Sequence, residues 1–213
     1  MRTEYSNWRK LDNAALAFPL VTGENDTRVF RFYCQLKEEV DSDILQQALD
    51  RTMEKYPLFQ AVLRKGLFWF YLEHSHIRAL VKPETEPPCS RLYIPDKKSL
   101  LFQVSYYKER INFEVFHALT DGTGAMHFLQ ELVQNYLILA HPKENFPEIG
   151  RDKKTGRGNI EEDSFSQYYS SDIPKNREKK KAAVKLKGEK LVHSDMHISE
   201  VVLSVKEVHQ KAR

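Results

Sequence analysis

The side chains best suited to chemistry lie in one short segment. Phe116-His117-Ala118-Leu119-Thr120-Asp121-Gly122 carries an imidazole, a carboxylate and a glycine in close succession. An imidazole titrates near neutral pH, so it can take a proton from a hydroxyl or amine held within hydrogen-bond reach. Gly122 allows backbone angles or close approaches that a side chain would forbid. The same spacing also describes a satisfied core histidine at a strand end, and spacing leaves both readings open.

A general base needs rigid elements behind it. Ile111, Phe113, Val115 and His117 share one face of a strand by the period of two, which puts His117 last on an apolar face. Leu101 to Tyr107 is a second apolar-aromatic run, joined to the first by Lys108-Glu109-Arg110, and the pair reads as a hairpin. Beyond Asp121-Gly122, Ala125, Leu129, Leu132, Val133, Tyr136 and Leu137 form a helical stripe, with Thr123 placed to cap its start. Gln130, Glu131, Gln134 and Asn135 fall on its polar side.

Upstream, Arg28 to Leu36 alternates as a strand, with Val29, Arg31 and Tyr33 opposite Phe30, Phe32 and Cys34. Asp41-Ser42-Asp43 offers cap oxygens to a helix whose apolar stripe is Leu45, Ala48, Leu49, Met53 and Tyr56, and Pro57 stops it. Leu58 to Leu63 reads as a further strand. Leu67-Phe68-Trp69-Phe70-Tyr71-Leu72 reads as a strand buried on both faces. Mixed strands and helices predict an α/β or α+β sandwich.

The 213 residues suit one large domain or two small ones, with 41% hydrophobic content to fill a core. Lys plus Arg at 33 against Asp plus Glu at 30 gives +3, too balanced for a dedicated nucleic-acid binder. The longest apolar stretch, Ala14 to Val21, is interrupted by Pro19 and falls well short of the roughly 20 residues of a membrane span. The N-terminus lacks the apolar core of a secretory signal, and two cysteines make no disulfide framework, so a soluble cytoplasmic protein is expected.

Other constellations are weaker. His74 and His76 place two imidazoles on one strand side without a third ligand, and His193, Asp195 and His197 share a face from which a tetrahedron rarely closes; no metal is expected. His127 lies within a helical stripe and reads as packing. Cys34 reads as buried and Cys89 as an exposed thiol with nothing nearby to activate it. No phosphate loop and no Gly-x-Ser-x-Gly elbow occurs. Between Lys175 and Lys190 eight basic residues stand against two glutamates, either a polyanion site or a solvated loop.

His117-x-x-x-Asp121-Gly122 resembles the HxxxDG signature of the coenzyme A-dependent acyltransferases, which include chloramphenicol acetyltransferase, carnitine and plant acyltransferases, and the condensation domains of peptide synthetases. Trp8-Arg9-Lys10-Leu11-Asp12-Asn13-Ala14-Ala15, Leu67 to Glu73, Phe116 to Gly124, and Asp163-Ser164-Phe165 with Tyr168 together resemble bacterial alcohol acetyltransferases over nearly the whole chain. The resemblance implies two similar lobes, each a mixed sheet covered by helices, with a tunnel between them. It implies His117 as general base toward an alcohol, acetyl-CoA or another acyl-CoA as co-substrate, and no permanently bound cofactor. Asp121 would turn away from substrate to hold the loop, with Arg64 as its candidate arginine partner or with the helix start as its only partner. Gly122 would leave room for the pantetheine arm.

Relatives carrying the motif in the first half of the chain are about twice this length, so the chain is expected to be an N-terminal lobe that is inactive alone. Residues 1–140 would form the lobe core with the motif, 141–190 a polar loop or linker, and 191–213 a strand and the start of a crossover helix toward a C-terminal lobe. His197 to Val205 supplies that strand and Lys206 to Arg213 the helix. A non-catalytic binding or carrier-recruiting module that keeps the fold is the alternative.

Overall fold

The computed structural model describes residues 8–12, 14–24, 26–67, 69–147 and 201–211. The chain divides into two units, 1–174 and 175–213. The first holds β1 (Trp8–Lys10), α1 (Ala17–Val21), β2 (Val29–Gln35), α2 (Ser42–Lys55), a single 3₁₀ turn (Pro57–Phe59), β3 (Ala61–Lys65), β4 (Phe70–His74), β5 (Val81–Pro83), β6 (Phe102–Tyr107), β7 (Arg110–Phe116) and α3 (Gly122–Ala140). In the second, α4 (Val205–Lys211) is helical, as the sequence predicts. Residues 201–204, expected to close a strand, carry no strand structure, and 197–200 lie outside the described residues.

The hairpin is as predicted. β6 and β7 pair antiparallel with Tyr107 opposite Arg110, so Lys108 and Glu109 alone form the turn, and Lys108 takes a left-handed φ of 50°. β2 pairs with the other side of β7, and β5 runs parallel to β6, giving a four-stranded mixed sheet in the order β2-β7-β6-β5. β7 is therefore a central strand, buried along both faces from Ile111 to Phe116. A second, antiparallel sheet has the order β1-β4-β3.

Helices α2 and α3 pack on each other, with α2 reaching β5 and α3 reaching β2. Asp41 caps α2 as expected, its carboxylate accepting from the backbone N–H groups of Asp43 and Ile44. The helix ends before Pro57. Between the helices and the larger sheet, Phe113 stacks on Phe128 at 4.7 Å and Phe59 stacks on Phe128 at 4.4 Å. Each aromatic of this size adds a large apolar area to the core.

Three expectations need correction. Glu131 is not on a wet face: α2 lies beside it and Lys55 pairs with its carboxylate, while Asn135 donates to Thr52 Oγ1 at 3.0 Å. The Leu67 to Leu72 run is not buried on both faces, because β4 starts only at Phe70 and then alternates; Leu67 is 92% exposed and Trp69 53%. Phe68 lies outside the described residues. Leu58 is not in a strand, since Pro57 starts a 3₁₀ turn and β3 begins at Ala61. Among the described residues no helix is long and apolar enough to cross a membrane.

Candidate active site

His117 follows directly on the buried central strand. Its backbone N–H donates to Arg28 O at 2.9 Å, carrying the pairing of β2 and β7 one residue past the ladder. Leu119 N–H then returns to Phe116 O at 2.9 Å and turns the chain toward α3. Both sides of the histidine are thus anchored, one by a strand buried from Ile111 to Phe116 and the other by a helix packed on α2.

The imidazole is half-buried between aromatic rings. Phe18 of α1 stacks on it with centroids 4.3 Å apart and planes 13° from parallel. Phe30 of β2 lies 5.0 Å away at a tilt of 59°. Neither ring nitrogen hydrogen-bonds to a described residue. The aromatic contacts with Phe18 and Phe30 therefore hold the ring in place. Phe18 was not singled out from the sequence; Ala14 to Val21 read only as an apolar stretch, although the stretch is where the wall comes from.

Asp121 is the N-cap of α3, so Thr123 is not. Its Oδ1 accepts from Gly124 N–H at 2.8 Å, and its backbone carbonyl accepts from Ala125 N–H at 3.0 Å. Arg64 does not reach it. On β3, Arg64 stands beside Tyr71 and Glu73 of β4, and its Nε lies 2.8 Å from Glu73 Oε2. The register of the smaller sheet thus satisfies the guanidinium locally, and among the described residues no ion pair joins it to Asp121. Gly122 is exposed, and an added Cβ would meet only Phe32 Cζ, at 3.9 Å, so the space in front of it is open. Gly124 is the crowded glycine: a Cβ there would fall 2.1 Å from Thr120 Oγ1.

The opposite face of the larger sheet carries a buried ionic network that the sequence reading missed. Glu114, 0% exposed, accepts from Arg31 Nε at 2.9 Å, from Cys89 N–H at 2.6 Å and from Gln103. Glu84 receives Arg31 as well, together with Arg110 at 2.8 Å and Asn112 at 3.2 Å. Burial alone would lower the pKa of Arg31, but its hydrogen bonds to the carboxylates of Glu84 and Glu114, with their charges, outweigh it and raise it. Burial likewise pushes Glu84 up, and its bonds to Arg31 and Arg110 carry it below the usual carboxylate range. The available signal was Arg31 alternating within one strand and Glu114 within another; only the pairing register shows that they meet.

The remaining candidates are separate from this site. His74 and His76 are exposed neighbours with rings 5.4 Å apart, and among the described residues no group of three ligands could hold a metal. His127 is half-buried on α3. Cys34 is half-buried too. Cys89 is not an exposed thiol: its loop folds onto the sheet, and burial, then the charge of Glu114, push the thiol upward. His193, Asp195 and His197, the basic run from Lys175 to Lys190, and Asp163 to Tyr168 lie outside the described residues.

Two sheets flanked by helices, with a histidine between the central strand and a capped helix, define the class: this is the fold of a condensation-domain lobe, of the chloramphenicol acetyltransferase type. The chain is similar to the starter condensation domain of rhizomide synthetase RzmA, with a TM-score of 0.55, 12% identity, and coverage of 77% of this chain and 45% of that one. It is similar also to the first condensation domain of the calcium-dependent antibiotic synthetase, solved with a substrate analogue (TM-score 0.53, 14% identity, 70% and 42% covered). A variant of the RzmA domain in complex with C8-CoA matches with a TM-score of 0.54 at 11% identity, covering 64% of this chain and 37% of that one. The chain thus spans less than half the length of these structures. No protein-family profile matches the sequence, and no curated protein does.

Proposed function

We propose that this chain is the histidine-bearing lobe of an acyltransferase that moves an acetyl or other acyl group from a coenzyme A thioester to an alcohol, with His117 as general base. The observation that carries the reading is the histidine itself: clamped by Phe18 and anchored to Arg28, it presents ring nitrogens that no described residue engages. The resemblance to bacterial alcohol acetyltransferases supports the alcohol acceptor, and the complex of a neighbouring fold with C8-CoA supports the thioester donor.

In this mechanism a neutral imidazole nitrogen accepts the acceptor's hydroxyl proton as its oxygen attacks the thioester carbonyl. The tetrahedral intermediate collapses with cleavage of the carbon–sulfur bond, and the imidazolium returns its proton to the departing thiolate. Asp121 acts on the loop through the helix cap and touches neither substrate. The open space before Gly122 would admit the thioester arm. A second lobe would supply the other tunnel wall and the coenzyme contacts.

The test is thiol release from acetyl-CoA by the full gene product, wild type against His117→Ala, across a panel of alcohols and amines. Acceptor-dependent release should fall by about 10²–10⁴-fold in the variant. Equal release by both proteins with every acceptor would sink the assignment, and coenzyme A binding without turnover would point to a recruiting module.

A further inference from the structure

Away from His117, β5, β6, α2 and the connections 77–80 and 91–100 border an open-sided cavity of about 370 Å³. Its floor is apolar where it meets solvent: Leu80 is 63% exposed and Ile77 and Ile94 38% each, set over the buried Leu49, Phe102 and Val104. Its rim is cationic. Arg78, Lys82, Arg91, Lys97 and Lys98 line it, and no carboxylate does. Arg78 is paired with Asp50 at 2.7 Å, and Arg91 Nε donates to Tyr93 O at 2.9 Å. Lys82, Lys97 and Lys98 have no ion-pair partner among the described residues.

Like charges gathered over a low-dielectric wall repel one another and focus a positive potential into the cleft. A small hydrated anion would answer the charge but leave the apolar floor wet. An uncharged chain would cover the floor and leave the lysines unanswered. One molecule satisfies both only if it carries an apolar chain and an anionic head. The volume lies within the range of pockets that hold small organic ligands.

We propose that this cavity binds a single-chain anionic amphiphile, its chain on Ile77, Leu80 and Ile94 and its phosphate or carboxylate head among Lys82, Lys97 and Lys98. The site shares no residue with the His117 loop and stands independently of the acyl-transfer reading.

Calorimetric titration of the chain with octyl phosphate, octanoate, octanol and inorganic phosphate, each below its micelle concentration where it forms micelles, tests this. Saturable one-to-one binding of octyl phosphate or octanoate is expected, and whichever binds tighter identifies the head group. Octanol and inorganic phosphate should bind about tenfold more weakly or not at all, because each answers only half of the site. Lys97→Glu/Lys98→Glu should weaken the amphiphile about tenfold, while Lys37→Glu/Lys65→Glu, exposed elsewhere, should leave it unchanged. Circular dichroism checks the fold of each variant. If the charge reversal fails to fold, Lys97→Gln/Lys98→Gln and a sodium chloride series replace it, and salt should weaken octyl phosphate but not octanol. Octanol binding as tightly as the anions, equal losses in both charge-reversed variants, or no saturable binding would each overturn the proposal.

Discussion

Replacing Glu114 by glutamine should destabilise the chain far more than the loss of one surface charge. The carboxylate is fully buried; one oxygen accepts from Arg31 and Cys89 N–H, and the other from Gln103. Glutamine keeps the volume but replaces one acceptor with a donor. The least costly arrangement points the new amide N–H at Gln103, whose own amide can turn over to accept it. What cannot be recovered is the negative charge facing Arg31. Hydrogen bonds to charged groups contribute about 1.5–3 kcal/mol each. Arg31 keeps Glu84, so the net cost should be about 2–3 kcal/mol, below the roughly 3–5 kcal/mol for deleting one partner of a buried pair outright. With a urea m-value of about 2 kcal/mol/M, the midpoint should fall by about 1–1.5 M at unchanged m. Arg31→Met should cost less in the Glu114→Gln background than in wild type, by about 0.5–3 kcal/mol for residues in one network. A midpoint within about 0.2 M of wild type, with additive single variants, would refute the view that this face is held by ion pairing.

Other changes have equally specific outcomes. Gly124→Ala should cost about 1–3 kcal/mol through its clash with Thr120 Oγ1, and adding Thr120→Ala should remove most of that cost in thermal melts. Asp121→Ala should lose about 1 kcal/mol of stability as a missing helix cap, whereas Arg64→Ala should leave α3 unaffected because its partner is Glu73. Glu84 is held below the usual carboxylate range in the folded state, so its stabilisation is complete above the unfolded value of about 4.3 and is lost as pH falls through the folded value. Urea midpoints should therefore drop at acid pH more steeply in wild type than in Glu84→Gln.

What could be read in advance followed from local pattern. Asp41 before a periodic stripe, Pro57 after it, and two apolar runs flanking Lys108-Glu109-Arg110 carry their own signals, and the elements lie where those signals put them. His117 was visible because a strand period and a glycine turn bracket it. Phe18 was not, because nothing local says which distant ring a short apolar helix will meet. The partner of Arg64 is hidden for a related reason: only the register of β3 against β4 sets Glu73, and not Asp121, beside it. A Pro-Pro loop reads as exposed at Cys89, and only the fold shows that this loop donates its backbone N–H to Glu114.

The sandwich around the imidazole joins two parts of unequal cohesion. His117 continues a central strand whose amides should exchange with deuterium only when the whole core opens, whereas Phe18 rides on a helix of five residues. Amides of α1 should accordingly exchange orders of magnitude faster than those of β7. The imidazole would then stay put while its wall swings away, and one face of the ring would be uncovered by a local, low-energy excursion that leaves the fold intact.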